Sequence, residues 1–162
     1  MQNFSVHLLY NPDKKSALCR SIITELPEWF GMPESNQKYI AEAAELPAIA
    51  VTIGNDEWPA LLLYQEKYDE WLKRAVIDIR WMGVLPRWHR HGLGRLMVGR
   101  LFDIAGQMGI GCVTVETLDP LMKDKDYLKT YDFYRKMGFE IYARNPDRQN
   151  PLVFMQRKLM VG

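Results

Sequence analysis

Two periods of hydrophobic and polar positions follow one another along the chain, and they predict its helices and strands. Apolar side chains at spacings of three or four residues predict helices over 13–26 and 33–46, each ended by a proline. The most regular apolar stripe predicts a third helix over 93–108. A short fourth helix is predicted over 130–137, where a glycine follows.

Extended runs of apolar and β-branched residues predict seven strands. They cover residues 4–10, 48–53, 58–64, 75–85, 111–117, 139–144 and 152–160. Polar residues 65–74 are predicted to connect the third strand to the fourth, and a polar loop is predicted to run to Lys129. The order β, α, α, three β, α, β, α and two β predicts an α/β (mixed α+β) fold with helices packed against a mixed sheet.

The composition is that of a globular protein, and the length predicts one domain over residues 1–162. With 48% hydrophobic and 25% charged residues, a disordered or low-complexity protein is excluded. Lysine and arginine total 21 against 20 acidic residues, a net charge of +1. This balance gives no global field that would favour nucleic acid or an anionic membrane as a partner, so any anion site must be local.

Compartment is predicted from the cysteines and from the absence of targeting patterns. Cys19 and Cys112 are too few and too far apart for a disulfide framework, which predicts core thiols in a reducing compartment. The N-terminal residues show no basic start followed by an apolar run, and no segment approaches the ~20 apolar residues of a spanning helix. We therefore expect a soluble, cytoplasmic protein.

The stretch from Met82 to Arg95, MGVLPRWHRHGLGR, carries the candidate chemistry. It reads as the end of a strand, a turn and the start of a helix. Free N–H groups at a helix start form an anion site, and glycine lets a phosphate approach closely. Arg87, Arg90 and Arg95 add positive charge. The alternative interpretation is an ordinary turn with solvated arginines.

A second stretch, Phe133 to Phe139 (FYRKMGF), joins the first in a recognisable pattern. Together they resemble the GNAT superfamily of acyl-CoA-dependent N-acetyltransferases. That family has a strand ending in Val-x-Pro, then Gln/Arg-x-x-Gly-x-Gly/Ala, and later Phe/Leu-Tyr-x-x-x-Gly-Phe. The resemblance covers roughly residues 74–145, and His89 stands where the family carries Gln or Arg. It implies a central mixed, mostly antiparallel sheet flanked by helices.

The resemblance also implies how acetyl-CoA would bind as co-substrate. The backbone of Met82, Gly83 and Val84 would face the thioester and the pantetheine arm, and an N–H near Val84 would polarise the thioester carbonyl. The pyrophosphate would lie in a cradle of seven residues. These are His89, Arg90, His91, Gly92, Leu93, Gly94 and Arg95.

Tyr134 and Asp78 are the implied catalytic residues. Tyr134 would give a proton to the departing thiolate, because a phenol with a pKa of ~10 is protonated at neutral pH. The alternative for Tyr134 is packing on the sheet. Asp78 is the candidate base for the amine, and the alternative is an ion pair with Arg80, which lies two residues away on the same strand face. Glu116 is a second carboxylate that could bind or deprotonate the amine.

Three other features are weighed against simpler interpretations. Trp29 and Phe30 could line the acceptor pocket, or they could close the core. His89 and His91 lack a third ligand of suitable spacing, so no metal is expected. The arginines near the glycine turn could touch nucleic acid, but without an overall basic balance one bound cofactor is favoured.

The sequence thus predicts an N-acetyltransferase that moves an acetyl group from acetyl-CoA to a primary amine by direct attack in a ternary complex. The acceptor is expected to be a small molecule or a peptide, with no nucleic acid or membrane as partner. Oligomeric state is left open, with a homodimer as one alternative. A non-catalytic acyl-CoA-binding module with the same fold is the alternative function.

Overall fold

The computed structural model describes residues 3–146 and 149–160. Its strands are β1 (Phe4–Leu9), β2 (Ala48–Ile53), β3 (Glu57–Asp69), β4 (Arg74–Val84), β5 (Cys112–Leu118), β6 (Glu140–Asn145) and β7 (Leu152–Lys158). Its helices are α1 (Pro12–Thr24), α2 (Pro33–Glu45), α3 (Leu93–Gln107) and α4 (Lys125–Lys136), with short 3-10 turns at Pro86–Trp88 and Pro120–Met122.

The strands form one sheet in the order β1-β2-β3-β4-β5-β7-β6. β4 and β5 pair in parallel, whereas β1 with β2, β2 with β3, β5 with β7, and β6 with β7 pair antiparallel. A parallel pair requires a crossover connection, and α3 supplies it. The predicted mixed, mostly antiparallel sheet flanked by helices is therefore confirmed.

The chain divides into two compact units, residues 1–65 with 80–101 and residues 66–79 with 102–162. The boundaries fall inside β3, β4 and α3. The first unit holds the whole of β1, α1, α2 and β2, and the second holds β5, α4, β6 and β7. That residues 1–162 act as a single domain stays a prediction.

In the first unit, α1 and α2 bury their apolar faces in a core with strand residues. The Asn11 side chain caps α1 by accepting from the Lys14 N–H at 2.9 Å, and Pro12 occupies the first turn, where its missing donor costs nothing. Ile22 of α1 and Ala43 of α2 are fully buried in a cluster with Leu61 of β3.

In the second unit, alternate residues of the paired strands build the core. Ile77 of β4 pairs with Val113 of β5, and Val115 pairs with Met155 of β7. All four are at least nine-tenths buried, and Phe139, at the exit of α4, is buried as well.

Two element boundaries differ from the prediction by five residues, and the other differences are smaller. β3 continues to Asp69 through residues that were predicted as a connection, so a turn of four residues joins it to β4. α4 begins at Lys125 and not at Thr130, because the Asp124 side chain caps it by accepting from the N–H groups of Asp126 and Tyr127. Asp147, part of the predicted turn before β7, lies outside the described residues.

Candidate functional site

One candidate site is the turn between β4 and α3, in the first unit. Arg90 has φ +64° and Gly92 has φ +79°, both in the left-handed region. Where left-handed and right-handed backbone conformations alternate, successive N–H groups point into one concavity that binds anions. Leu93 then begins α3, a helix of fifteen residues whose first N–H groups have no partner within the helix. The predicted strand, glycine turn and helix are therefore present in this order.

The position of Gly92 leaves open space for a ligand. A Cβ built on this residue would have no heavy atom within 4 Å. Gly92 itself is exposed. An open, left-handed turn that precedes a long helix is a site that a diphosphate group fits, because N–H groups and the positive end of the helix dipole both favour an anion.

Glu57 of β3 fixes the start of this turn. Its carboxylate accepts from Trp88 Nε1 at 2.9 Å and from the Arg87 guanidinium. The Trp88 hydrogen bond, and after it the Arg87 hydrogen bond, lower the pKa of Glu57. The charge of Arg87 is therefore balanced within the turn, while Arg90 and Arg95 are exposed. Glu57 was missed by the sequence analysis, because its partners lie about thirty residues away.

His89 joins the turn to two other segments of the first unit. Its Nε2–H donates to the Val84 carbonyl oxygen at 2.7 Å, and the edge of its ring meets Trp29, with ring centroids 5.7 Å apart. His91 donates from Nδ1 to the His89 carbonyl oxygen at 2.9 Å. The ring of His89 thus points back to the end of β4, so any phosphate contact would use its backbone.

Of the residues predicted to face the thioester, Gly83 is the most crowded. A Cβ there would lie 2.6 Å from Trp81 Cη2 and 2.7 Å from Ile22 Cγ2. Close packing of α1 therefore explains the glycine. Met82 and Val84 are half-buried. That these three residues face acetyl-CoA stays a prediction.

Trp29 and Phe30 follow α1 and lie against the core of the first unit. The ring centroid of Phe30 is 5.5 Å from that of Trp81 and 6.2 Å from that of Tyr39. Both residues are half-buried, which fits the core-closing alternative. Their contact with an acceptor stays a prediction.

A separate candidate site, in the second unit, is centred on Asp78 of β4. Asp78 is 5% exposed, and its Oδ1 accepts from Thr114 Oγ1 of β5 at 2.6 Å. Its Oδ2 lies 3.7 Å from the Lys67 ammonium of β3. Lys67 and Thr114 were not among the predicted site residues. Lys67 was assigned to a loop, although extending β3 would have brought it to the strand face of Asp78.

Arg80, considered above as a partner of Asp78, makes a two-pronged ion pair in the first unit. Its Nε donates to Glu42 Oε2 at 2.6 Å and its Nη2 donates to Glu42 Oε1 at 3.2 Å. The guanidinium also lies over the Tyr39 ring, 5.2 Å from its centroid. Arg80 therefore attaches β4 to α2.

Tyr134 is on α4 in the second unit and is 4% exposed. Its ring meets the edges of Phe133 and Phe139, with centroids 5.2 Å and 5.4 Å away. Burial, and after it the negative charge of Asp78, raise the pKa of the Tyr134 phenol well above its usual range. The phenol is therefore fully protonated at neutral pH, as a proton donor must be. Glu116 of β5 is exposed and pairs across the sheet with Phe154.

The described part of the chain holds neither a group of three side chains that could ligate a metal nor a helix that could span a membrane. Over residues 3–146 and 149–160, no three His, Cys, Asp or Glu side chains are grouped so that they could hold a metal ion. No helix within the same residues is long and apolar enough to cross a membrane.

Comparison with known proteins identifies the family. The model of the acetyltransferase (GNAT) domain matches residues 40–141. A Desulfovibrio desulfuricans protein assigned to the GNAT family of acetyltransferases has a similar structure, with TM-score 0.77, 18% identity, and coverage of 96% of this chain and 99% of that one. No curated protein sequence matches the chain.

Two further structures share the fold. The ribosomal-protein-S18-alanine N-acetyltransferase of Escherichia coli has TM-score 0.72 at 18% identity, with 99% of this chain and 97% of that chain covered. A Salmonella typhimurium protein assigned as an acetyltransferase, whose structure holds its cofactor acetyl-CoA, has TM-score 0.67 at 17% identity, with 97% and 94% covered. The match of the family model over most of the chain confirms the resemblance seen in the sequence: this chain belongs to the GNAT family of acetyltransferases.

Proposed function

We propose that the chain transfers an acetyl group from acetyl-CoA to a primary amine by direct attack in a ternary complex. The observation that carries this proposal is the open, left-handed turn at Arg90 and Gly92 directly ahead of α3. It combines free N–H groups, a helix start and two exposed arginines, which is the chemistry that a diphosphate requires.

The residues of this turn would hold the diphosphate of acetyl-CoA. They are His89, Arg90, His91, Gly92, Leu93, Gly94 and Arg95. When bound, acetyl-CoA supplies a thioester with an acetyl group that an amine can take. The structural likeness to a protein that holds acetyl-CoA supports this choice of co-substrate. The backbone of Met82, Gly83 and Val84 would hold the arm that carries the thioester.

Tyr134 would act as the acid that protonates the leaving sulfur. Its pKa is raised by burial, so the hydroxyl holds its proton at neutral pH, and as negative charge develops on the sulfur it can hydrogen-bond to the sulfur and give up the proton once the thiolate forms. The neighbouring rings of Phe133 and Phe139 pack against the phenol ring in T-shaped contacts.

Asp78 would act as the base, directly or through one water. An amine must lose a proton before it can attack, and a carboxylate held in place by Thr114 is a suitable receiver. The Lys67 ammonium lies 3.7 Å from the other carboxylate oxygen of Asp78.

The acceptor class is proposed as a primary amine on a small molecule or a peptide. The Escherichia coli enzyme of similar fold is named for an alanine of ribosomal protein S18, and it supports an amine as acceptor. Trp29 and Phe30 would border the acceptor, and Glu116 would attract its positive charge or accept its proton. A cytoplasmic location is part of the same proposal, and a homodimer stays open.

A panel of primary amines tests the proposal. The purified chain is incubated with acetyl-CoA and each amine, and released thiol is measured. We expect release of many thiols per protein molecule, and this repeated turnover should require both the protein and at least one amine. Binding of acetyl-CoA without release for any amine would instead support the non-catalytic acyl-CoA-binding module.

A further inference from the structure

Lys67 places a primary amine beside the carboxylate that we propose as the base. Its Nζ lies 3.7 Å from Asp78 Oδ2 in the second unit. The Lys67 side chain is 35% exposed, whereas that of Asp78 is 7% exposed, so the ammonium reaches from the surface to a buried acid. An acceptor amine would need this same relation to Asp78, and the chain itself already provides one.

The proton donor for the reaction belongs to the same unit. The charge of Asp78 contributes to the raised pKa of Tyr134, so the phenol lies within electrostatic reach of this carboxylate. Thr114 holds the other carboxylate oxygen at 2.6 Å, which leaves Oδ2 turned to Lys67. An amine and a candidate base therefore lie 3.7 Å apart in the second unit.

We propose that the chain acetylates its own Lys67, an inference that rests on the proposed acetyltransferase function. The Lys67 ammonium gives one proton to Asp78, and the nitrogen lone pair then forms a bond to the acetyl carbon of acetyl-CoA. The carbon–sulfur bond breaks, its electron pair goes to sulfur, and Tyr134 protonates the thiolate. The nitrogen loses its second proton to solvent, Asp78 returns its proton to solvent, and Tyr134 regains one proton from solvent, so one proton is released overall.

Lys73, on the turn between β3 and β4, is the internal reference for this reaction. It is exposed, whereas Lys67 is half-buried. Uncatalysed acetylation by acetyl-CoA would favour the more accessible amine, which is Lys73. Placement beside the candidate base reverses that order, because a held nucleophile reacts far faster than a free one. The ratio of the two products therefore separates self-acetylation from chemical background.

The experiment incubates the full chain with acetyl-CoA and no added amine, and follows each lysine by peptide mass spectrometry. We expect Lys67 to carry acetyl at least about tenfold faster than Lys73, at a rate that does not change when the protein is diluted. Lys67→Arg keeps the positive charge beside Asp78 and should abolish the acetylated peptide without raising labelling at Lys73. Tyr134→Phe should reduce Lys67 labelling toward the Lys73 level.

If Lys67 of the wild-type chain is acetylated no faster than Lys73, the inference is overturned. Labelling that rises with protein concentration would also overturn it, since the transfer would then pass from one molecule to another. The amine panel separates this failure from failure of the proposed function. Acetylated amines with unlabelled Lys67 would leave the acetyltransferase standing and refute only self-acetylation.

Discussion

A methyl group added at Gly92 should disrupt acetyl-CoA binding while the protein stays folded. The new Cβ meets no heavy atom within 4 Å, so Gly92→Ala introduces no clash. Its cost to folding comes from the backbone, since φ is +79° and a left-handed residue other than glycine loses roughly 1–2 kcal/mol. The same Cβ projects into the space that we assign to the diphosphate.

Calorimetry measures the affinity of Gly92→Ala for acetyl-CoA against a matched control. Gly54, in the turn between β2 and β3, has φ +60° and likewise no atom within 4 Å of a built Cβ. Gly54→Ala should therefore lose a similar amount of stability and keep its affinity. For Gly92→Ala we expect an affinity at least about tenfold weaker, equivalent to ~1.4 kcal/mol. Wild-type affinity in a folded Gly92→Ala protein would refute the claim that the diphosphate of acetyl-CoA binds at this turn.

Other substitutions test the remaining roles. Tyr134→Phe should lower kcat by roughly 100-fold with acetyl-CoA affinity little changed, and full activity in the variant would remove Tyr134 from the mechanism. Because the pKa of this phenol is raised, the kcat of the wild-type protein should not fall through deprotonation of Tyr134 below pH ~10. Asp78→Asn should lower the rate and abolish the acidic limb of kcat/KM, whereas an unaltered limb with a lowered Tm would leave Asp78 a structural role. Gly83→Ala should cost about 1–3 kcal/mol in thermal unfolding, since its Cβ would lie 2.6 Å from Trp81, and an unchanged Tm would contradict this packing.

The sequence predicted the order of elements because each core face has a clear period. α1 buries Cys19, Ile22 and Ile23 at helical spacing, and this pattern needs no knowledge of distant partners. The end of β3 was not predicted, because polar residues that are typical of loops form hydrogen bonds within this strand and the turn after it. Asp69 is buried, with Oδ1 accepting from two N–H groups of the turn and Oδ2 accepting from Tyr142 at 2.6 Å. A polar residue satisfied in this way looks like a loop residue in the sequence.

The candidate site was predictable where the chemistry lies in a short stretch and not where distant strands meet. Arg90 to Arg95 could be proposed from the glycine spacing together with the strand before it and the helix after it. The partner of Arg80, by contrast, is thirty-eight residues away on α2, and only the pairing of strands and helices reveals it. Thr114 reaches Asp78 because β4 and β5 are parallel neighbours, with Asp78 opposite Thr114. That register depends on the α3 crossover between the two strands, and the sequence alone does not predict which residue of β4 lies opposite which residue of β5.

The most direct measurement of the proposed function compares the two products of the reaction. Acetyl-CoA labelled in its acetyl group is incubated with the chain and the most reactive amine of the panel, and free thiol and labelled N-acetyl amine are quantified together. The account predicts that free thiol equals labelled N-acetyl amine plus at most one acetylated Lys67 per chain, and that neither product exceeds background when the protein is omitted. Thiol released without labelled amine, or no thiol from a chain that binds acetyl-CoA, would contradict transfer to an amine.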